Sequence, residues 1–327
     1  MTHLLIFLAS RHRVWNLDEK YPRLIRESFP EVEVVTVRDK EDSLRHLPEA
    51  EILYSWSLPE KHFPRARRLR WIHLPSAGVE DALYPALVES SIRLSCSRGI
   101  SSAALADHAL GMILAFSRGL ATAIRERGNE RLRDTFFEGN PMPSELDGRV
   151  LAILGFGSIG REVARRGRSF GMRIHALKRR AAAQEPLADR LFGPPGWEEF
   201  LASADFLVIC LPLTPVTAGI LDARALSLLK RSAVVVNIAR GGLVREDALV
   251  QALESGRLAG AALDVYAEEP LPPSSPLHRL GNTVLTPHIG GLHPHYLDRA
   301  TAIFLVNLGR FLKEEPLLHE VDKQAGY

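Results

Sequence analysis

"ILGFGSIGREVARRGRSFGM", residues 153–172, decides the fold. Gly155, Gly157 and Gly160 stand in G-x-G-x-x-G spacing. Glycines fall this way by chance in many loops, so the flanks carry the weight. An apolar run, 149–155 (RVLAILG), precedes them. Ile159, Val163, Ala164 and Phe170 follow on one side of a helix, and a second apolar run, 172–177 (MRIHAL), comes next. Strand, glycine turn, helix and strand form a unit suited to a dinucleotide. Gly155 permits the tight turn, Gly157 lets the backbone approach a pyrophosphate, and Gly160 lets helix and strand pack closely. The first N–H groups of the helix and its dipole then face the phosphates. The other reading is a purely structural turn, and the matching flanks weigh against it.

Outward from this unit the same alternation continues. Short apolar runs predict strands at 3–9, 32–38, 50–56, 70–74 and 92–96, then at 149–155, 172–177, 205–211, 233–238, 260–265 and 283–286. Longer amphipathic stretches separate them. The pattern predicts an α/β protein with doubly wound parallel sheets covered by helices on both faces. Between the two sets, 101–119 (SSAALADHALGMILAFSRG) is small and apolar on nearly every side and reads as a long buried helix opening a second domain. A loose polar stretch, 125–147, and a Pro/Ser-rich loop, 268–276, read as irregular. The last helix, about 296–314, places Leu297, Ala300, Phe304, Leu308, Phe311 and Leu312 on one face.

The chain has 327 residues, enough for two domains of roughly 150 residues each. Its formal charge is +2, which excludes a general polyanion-binding surface, so any basic cluster has to be argued locally. Cys96 and Cys210 lie in apolar runs without metal-ligand spacing and read as buried free thiols, with no metal site. A reducing, cytoplasmic setting fits. The start, "MTHLLIFLAS", has no cationic segment ahead of its apolar run and reads as a first strand, not a signal peptide. No apolar run is long enough to cross a membrane.

The end of the second strand of a dinucleotide unit ordinarily carries an acid that accepts from the ribose hydroxyls of NAD. Here the chain reads "ALKRR", 176–180. Lys178, Arg179 and Arg180 can grip a 2′-phosphate instead, a guanidinium bidentately. A solvated basic turn is the other reading. The missing acid, together with the bases, favours NADP, with NAD as the alternative cofactor.

Three segments carry unusual residues at strand ends, where ligands bind in open α/β sheets. They are "VVVNIARGGLVRED" with Arg240, "GAALDVYAEEP" with Asp264 and Glu268 or Glu269, and "NTVLTPHIGG" with His288. Singly, each has an ordinary structural reading as a salt bridge, a loop acid or a capping histidine. Together they form one apparatus for a 2-oxo acid. An Arg binds the carboxylate in a fork and polarises the ketone. A His gives a proton to the carbonyl oxygen and takes it back in the reverse direction. A carboxylate beside the His favours the imidazolium and fixes the ring.

At this point the sequence resembles the D-isomer-specific 2-hydroxyacid dehydrogenase family, which includes glyoxylate/hydroxypyruvate reductases. The carrying segments are "HLPSAGVE" (73–80), "GFGSIGREVA" (155–164), "CLPLTPVTAGI" (210–220), "VVNIARGGLVREDAL" (235–249), "ALDVYAEEP" (262–270) and "TPHIGG" (286–291). The resemblance implies a Rossmann cofactor domain, 101–290, and a discontinuous flavodoxin-like substrate domain, 1–100 plus 291–327, with the active site in the cleft between them. It implies Arg240, Glu269 and His288 as catalytic, Glu269 being the acid directly before the proline. Ser76, Ala77, Gly78 and Val79 match the loop that holds the substrate carboxylate, together with Arg240. Ser158, Ile159, Leu211, Pro212, Thr217, Ile238, Ala239, Asp264 and Gly290 fall on cofactor-lining positions, as do Arg240 and His288. A homodimer through the cofactor domain is implied, with the 101–119 helix and the following polar excursion as interface pieces.

The expected function is hydride transfer between NAD(P)H and a small 2-oxo acid or D-2-hydroxy acid, with no nucleic-acid or membrane partner. A non-enzymatic NAD(P)-sensing protein on the same fold is the alternative. Formate dehydrogenase shares the fold but pairs its His with Gln, and Glu269 argues against it. After His288, "GLHPHY" brings His293, Pro294 and His295 where many relatives have a small polar residue. They either shape a pocket or begin the last helix, and the latter is favoured. Trp56, at a strand end, either walls the pocket or packs in the core.

Overall fold

The computed structural model describes residues 1–10, 12–139, 142–179 and 185–327. Contacts divide the chain into two compact units, Met1–Ile100 with His293–Tyr327, and Ser101–Leu292.

The first unit holds β1 (Thr2–Phe7), β2 (Val32–Thr36), β3 (Ile52–Ser55), β4 (Trp71–Leu74) and β5 (Arg93–Cys96). They form one parallel sheet in the order β2-β1-β3-β4-β5, the flavodoxin-like arrangement. Alternate residues feed opposite faces. Leu4 and Ile6 of β1, Ile52 and Tyr54 of β3 and Trp71 of β4 bury on one side. Leu5, Leu53, Ile72 and Leu74 bury on the other. The helix Tyr296–Leu312 covers the first face, with Phe304 stacked on Tyr54 at 4.3 Å between ring centroids. Leu297, Ala300, Phe304, Leu308 and Phe311 are buried along its apolar side.

The second unit adds β6 (Val150–Leu154), β7 (Arg173–Leu177), β8 (Arg190–Phe192), β9 (Phe206–Ile209), β10 (Val234–Asn237), β11 (Gly260–Leu263) and β12 (Thr283–Leu285). The order is β12-β11-β10-β9-β6-β7-β8, with every pairing parallel. It is a doubly wound sheet whose winding reverses between β6 and β9. Ligands in such sheets sit at the carboxyl ends of the strands beside that reversal. Leu151 and Ile153 of β6 face one core, and Ala152 and Leu154 the other.

Four local expectations are corrected. The edge strand β8 adds a seventh strand that its three residues are too few to show as a period. The polar stretch 125–147 contains a helix, Leu132–Phe137. Phe170 ends the glycine-loop helix as its C-terminal cap and is exposed, while Val163 and Ala164 are buried. The helix Ser102–Ser117 buries Ala106, Ala109, Leu110, Met112 and Ile113, but Leu105, Leu114, Ala115 and Phe116 remain half-exposed, so burial is one-sided. Cys96 is buried and Cys210 half-buried, and both thiols are free. No described helix is long and apolar enough to cross a membrane.

Candidate functional site

All seven strands of the second sheet run parallel, so their carboxyl ends line one edge. The glycine loop leaves β6 there. Gly155 has φ +99°, and a Cβ on it would lie 2.7 Å from the Cys210 carbonyl oxygen, so only glycine fits this turn. A Cβ on Gly160 would lie 2.3 Å from the Gly155 carbonyl oxygen, which is the close helix-to-loop packing the spacing predicts. Gly157 faces open space and leads into the helix Ser158–Ser169, where Ser158 is exposed and Ile159 half-buried. An open backbone at a helix start beside the winding reversal fits a pyrophosphate.

The neighbouring strand ends complete this edge. Beyond β9, Thr217 donates its hydroxyl to the Pro212 carbonyl at 2.7 Å, closing the turn that carries half-buried Leu211. Beyond β10, the Asn237 amide donates to the Arg240 carbonyl at 2.9 Å and accepts from the Ala239 N–H at 3.1 Å. It braces the turn in which Ile238 and Ala239 are buried. Lys178 directly follows β7, and Arg179 comes next in an exposed position. Arg180 lies outside the described residues.

Asp264 follows β11 and is fully buried. Its carboxylate accepts from the Thr286 hydroxyl at 2.6 Å, the Ile289 N–H at 2.9 Å and the Gly290 N–H at 2.8 Å. The Thr286 hydroxyl spends its proton on Asp264, so it accepts from His108 Nε2 at 3.0 Å. Burial pushes the Asp264 carboxyl up, but the bonds from His108, Thr286, Ile289 and Gly290 outweigh it and hold it below the usual range. The Tyr266 hydroxyl donates to the Thr286 carbonyl at 2.9 Å. These contacts clamp both sides of His288, whose backbone stands at φ +53°. A non-glycine residue there needs such support.

His288 Nδ1 meets Glu269 Oε2 at 2.7 Å. A carboxylate only accepts, so Nδ1 carries the proton and Nε2 is left to exchange one with a ligand. Glu269 is itself oriented by the Tyr266 N–H, which donates to Oε1 at 3.1 Å. Both side chains keep access to solvent, 47% and 35% exposed, as a site open to ligand requires. Arg240 comes next to the same loop through its neighbour. A Cβ on Gly241 would lie 1.9 Å from the Tyr266 carbonyl carbon, so the Arg240 turn abuts the backbone leading to Glu269. Arg240 Nη1 donates to the Ala239 carbonyl at 2.7 Å.

In the first unit, Ser76–Val79 follows β4. The Ser76 hydroxyl donates to the Gly78 carbonyl at 2.8 Å. Among the described residues, the N–H groups of Ala77, Gly78 and Val79 have no acceptor. Successive orphan N–H groups form an anion nest. Trp56 is half-buried, donates to the Trp15 carbonyl at 3.1 Å and packs edge-on to the Trp15 ring. His293 and His295 directly precede the last helix, and His295 Nδ1 lies 3.3 Å from Asp298.

Reading the sequence missed His108, Thr286, Tyr266 and Asn237. His108 shows only as one polar residue in an apolar helix, and Asn237 as one amide ending a valine strand.

The sequence model of the D-isomer specific 2-hydroxyacid dehydrogenase NAD-binding domain matches residues 110–290. A D-3-phosphoglycerate dehydrogenase of Methanocaldococcus jannaschii is 33% identical over 297 residues. That match covers 89% of this chain and 55% of the relative, so the chain spans about half the relative's length. A glyoxylate reductase of Thermococcus gammatolerans is 33% identical over 282 residues, 85% of this chain and 79% of that one. An NADPH-dependent glyoxylate/hydroxypyruvate reductase from Sinorhizobium meliloti, solved with NADP and sulfate, is 26% identical with a TM-score of 0.80, covering 100% of both chains. By motif, architecture and these matches, the chain belongs to the D-isomer specific 2-hydroxyacid dehydrogenase family, and its second unit is that family's NAD-binding domain.

Proposed function

We propose that the protein reduces a small 2-oxo acid of the glyoxylate or hydroxypyruvate class to its D-2-hydroxy acid, with NADPH preferred over NADH. The observation that carries this reading is the 2.7 Å His288–Glu269 pair on the strand-end edge that holds the glycine loop. The bound nicotinamide supplies the hydride. Gly155, Gly157, Ser158 and Ile159 would hold its pyrophosphate, and Lys178, Arg179 and Arg180 the adenosine phosphate. Leu211, Pro212, Thr217, Ile238, Ala239, Asp264 and Gly290 would line the remainder.

The chain's own residues supply the rest. Arg240 grips the substrate carboxylate and polarises the ketone. Within the first unit, the Ala77, Gly78 and Val79 N–H groups suit an acid's carboxylate, which makes 1–100 plus 291–327 the proposed substrate domain and 101–290 the cofactor domain. His288 gives a proton to the carbonyl oxygen, and Glu269 keeps the ring aimed. The relative solved with NADP supports the NADPH preference, and the 33%-identical glyoxylate reductase supports the substrate class. The aligned His–Glu pair is what proton transfer needs and favours an enzyme over a protein that only senses the dinucleotide.

A homodimer through the second unit belongs to the same reading. Leu120, Ile124, Phe137 and Met142, which follow the helix Ser102–Ser117 in the chain, are exposed at 48, 72, 76 and 65%. The two free thiols fit a reducing cytoplasm. The test is oxidation of NADPH and of NADH against glyoxylate, hydroxypyruvate, pyruvate and phenylpyruvate. Turnover with glyoxylate or hydroxypyruvate, faster with NADPH, is expected. No turnover with any 2-oxo acid overturns the reading.

A further inference from the structure

The sequence lacks an acid at the end of β7, yet folding brings one there. Glu185, seven residues past Lys178, turns its carboxylate onto Lys178 Nζ and onto Arg161 Nη2, the latter at 2.7 Å. The Glu185 side chain is only 8% exposed, and that of Lys178 19%. This is a seated charge, unlike most surface glutamates, which stay solvated. Lys178 first, then Arg161, hold the Glu185 carboxyl below its usual range against the opposing effect of burial.

The position gives the triad its meaning. Lys178 is the first residue after β7. Arg161 directly follows Gly160, in the first turn of the helix Ser158–Ser169. Together they bracket the point where the second strand of a dinucleotide unit ends beside its glycine loop. There the ribose of the adenosine half is read. A carboxylate and a phosphate monoester make the same charge-assisted bonds to ammonium and guanidinium groups. Both cannot occupy one pair of cations without like-charge repulsion.

We propose that Glu185 is an intramolecular counter-anion seated where a cofactor 2′-phosphate would lie, and that it sets the discrimination between NADPH and NADH. A 2′-phosphate has to displace Glu185 from Lys178 and Arg161, whereas a free 2′-hydroxyl can donate to it. The basic turn thus votes for NADP while Glu185 lowers the margin. Lys178, Arg161 and Glu185 together carry one net positive charge, and a neutral residue at 185 raises that to two. This inference rests on the proposal that the second unit holds a nicotinamide dinucleotide at its glycine loop.

The experiment is equilibrium binding of NADPH, NADH, adenosine 2′-monophosphate and adenosine 5′-monophosphate to the full chain and to Glu185→Gln. Lys178→Met and the Lys178→Met/Glu185→Gln pair complete a cycle. Glu185→Gln is expected to tighten NADPH and adenosine 2′-monophosphate by roughly tenfold, the order of one lost ion-pair competition. Adenosine 5′-monophosphate stays within about twofold, and NADH weakens or stays level. In the Lys178→Met background the gain from Glu185→Gln vanishes. An NADPH-to-NADH affinity ratio unchanged by Glu185→Gln, or moved toward NADH, overturns the proposal. Glu185→Ala, with a different shape and the same charge, must move the ratio the same way; a ratio moved by Gln alone overturns it.

The two readings fail separately. Absent turnover of 2-oxo acids refutes the proposed reaction and leaves these binding ratios standing. A wild type that binds only NADH, with Glu185→Gln gaining NADPH, refutes the NADPH preference and supports the role of Glu185.

Discussion

Asp264→Asn tests how His288, the proposed proton donor, is held. The carboxylate accepts three bonds between 2.6 and 2.9 Å, from Thr286, Ile289 and Gly290, at a site with no solvent access. Bonds to a charged group contribute ~1.5–3 kcal/mol each, and an opposed buried donor costs ~1–3 kcal/mol. With the amide oxygen turned to Thr286 and Ile289, the new NH2 faces the Gly290 N–H, donor against donor. The remaining two bonds lose their charge assistance. The expected loss is about 3 kcal/mol, or roughly 6–12 °C in Tm for a unit of this size. Hydrogen exchange should localise it, with protection falling first at Ile289 and Gly290. Because those residues fix His288 at φ +53°, kcat for 2-oxo acid reduction should fall at least about tenfold with little change in substrate KM. The sign with pH is also set. Asp264's carboxyl lies below its usual range, so its stabilisation is complete above the unfolded-chain value near 3.9 and is lost as pH falls through the lower folded value. Wild type and Asp264→Asn should converge in stability there. A variant with unchanged Tm, protection at Ile289 and kcat would refute the clamp.

Three further outcomes follow from the same geometry. His288→Ala should cost about 10²–10⁴ in kcat at unchanged dinucleotide affinity, and undiminished turnover removes it as proton donor. Gly241→Ala places a Cβ 1.9 Å from the Tyr266 backbone and should cost ~1–3 kcal/mol by urea titration, with turnover lost alongside because the Arg240 turn moves. Ile124→Asp with Phe137→Asp, at positions 72% and 76% exposed, should convert a dimer to monomer by light scattering while leaving the fold's circular dichroism unchanged; a persistent dimer places the interface elsewhere.

What was legible in the sequence was what repeats along the chain or sits next to its own cause. The central strands read as apolar runs because both of their faces are covered. Two positions of the glycine loop answer local steric demands, Gly155 against Cys210 and Gly160 against Gly155, while Gly157 faces open space. Arg240, Asp264, Glu269 and His288 stood out because each lies a short way past the carboxyl end of a strand, and the parallel sheet turns those ends into one edge. β8 stayed hidden because three residues carry no period. Asn237, Thr286 and His108 stayed hidden because their work lies in distances between separate elements, such as the 178 residues between His108 and Thr286.

The basic turn shows why position alone underdetermines specificity. Counting residues from Gly160 finds Lys178 and a missing acid, and that count argues for a phosphate. Through space an acid is present, because Glu185 places its carboxylate on the same ammonium. A rule stated as "acid or base at the end of the second strand" tests one backbone position. The electrostatic potential that a 2′-phosphate meets is summed over every charge within a few ångströms, whatever its place in the chain. Lys178, Arg161 and Glu185 must therefore be weighed as one group. Lys178 is already engaged by Glu185, so losing it alone should cost NADPH less than the loss of a free cation. The cost should grow once Glu185 is neutral, a non-additivity that a single-residue rule does not anticipate.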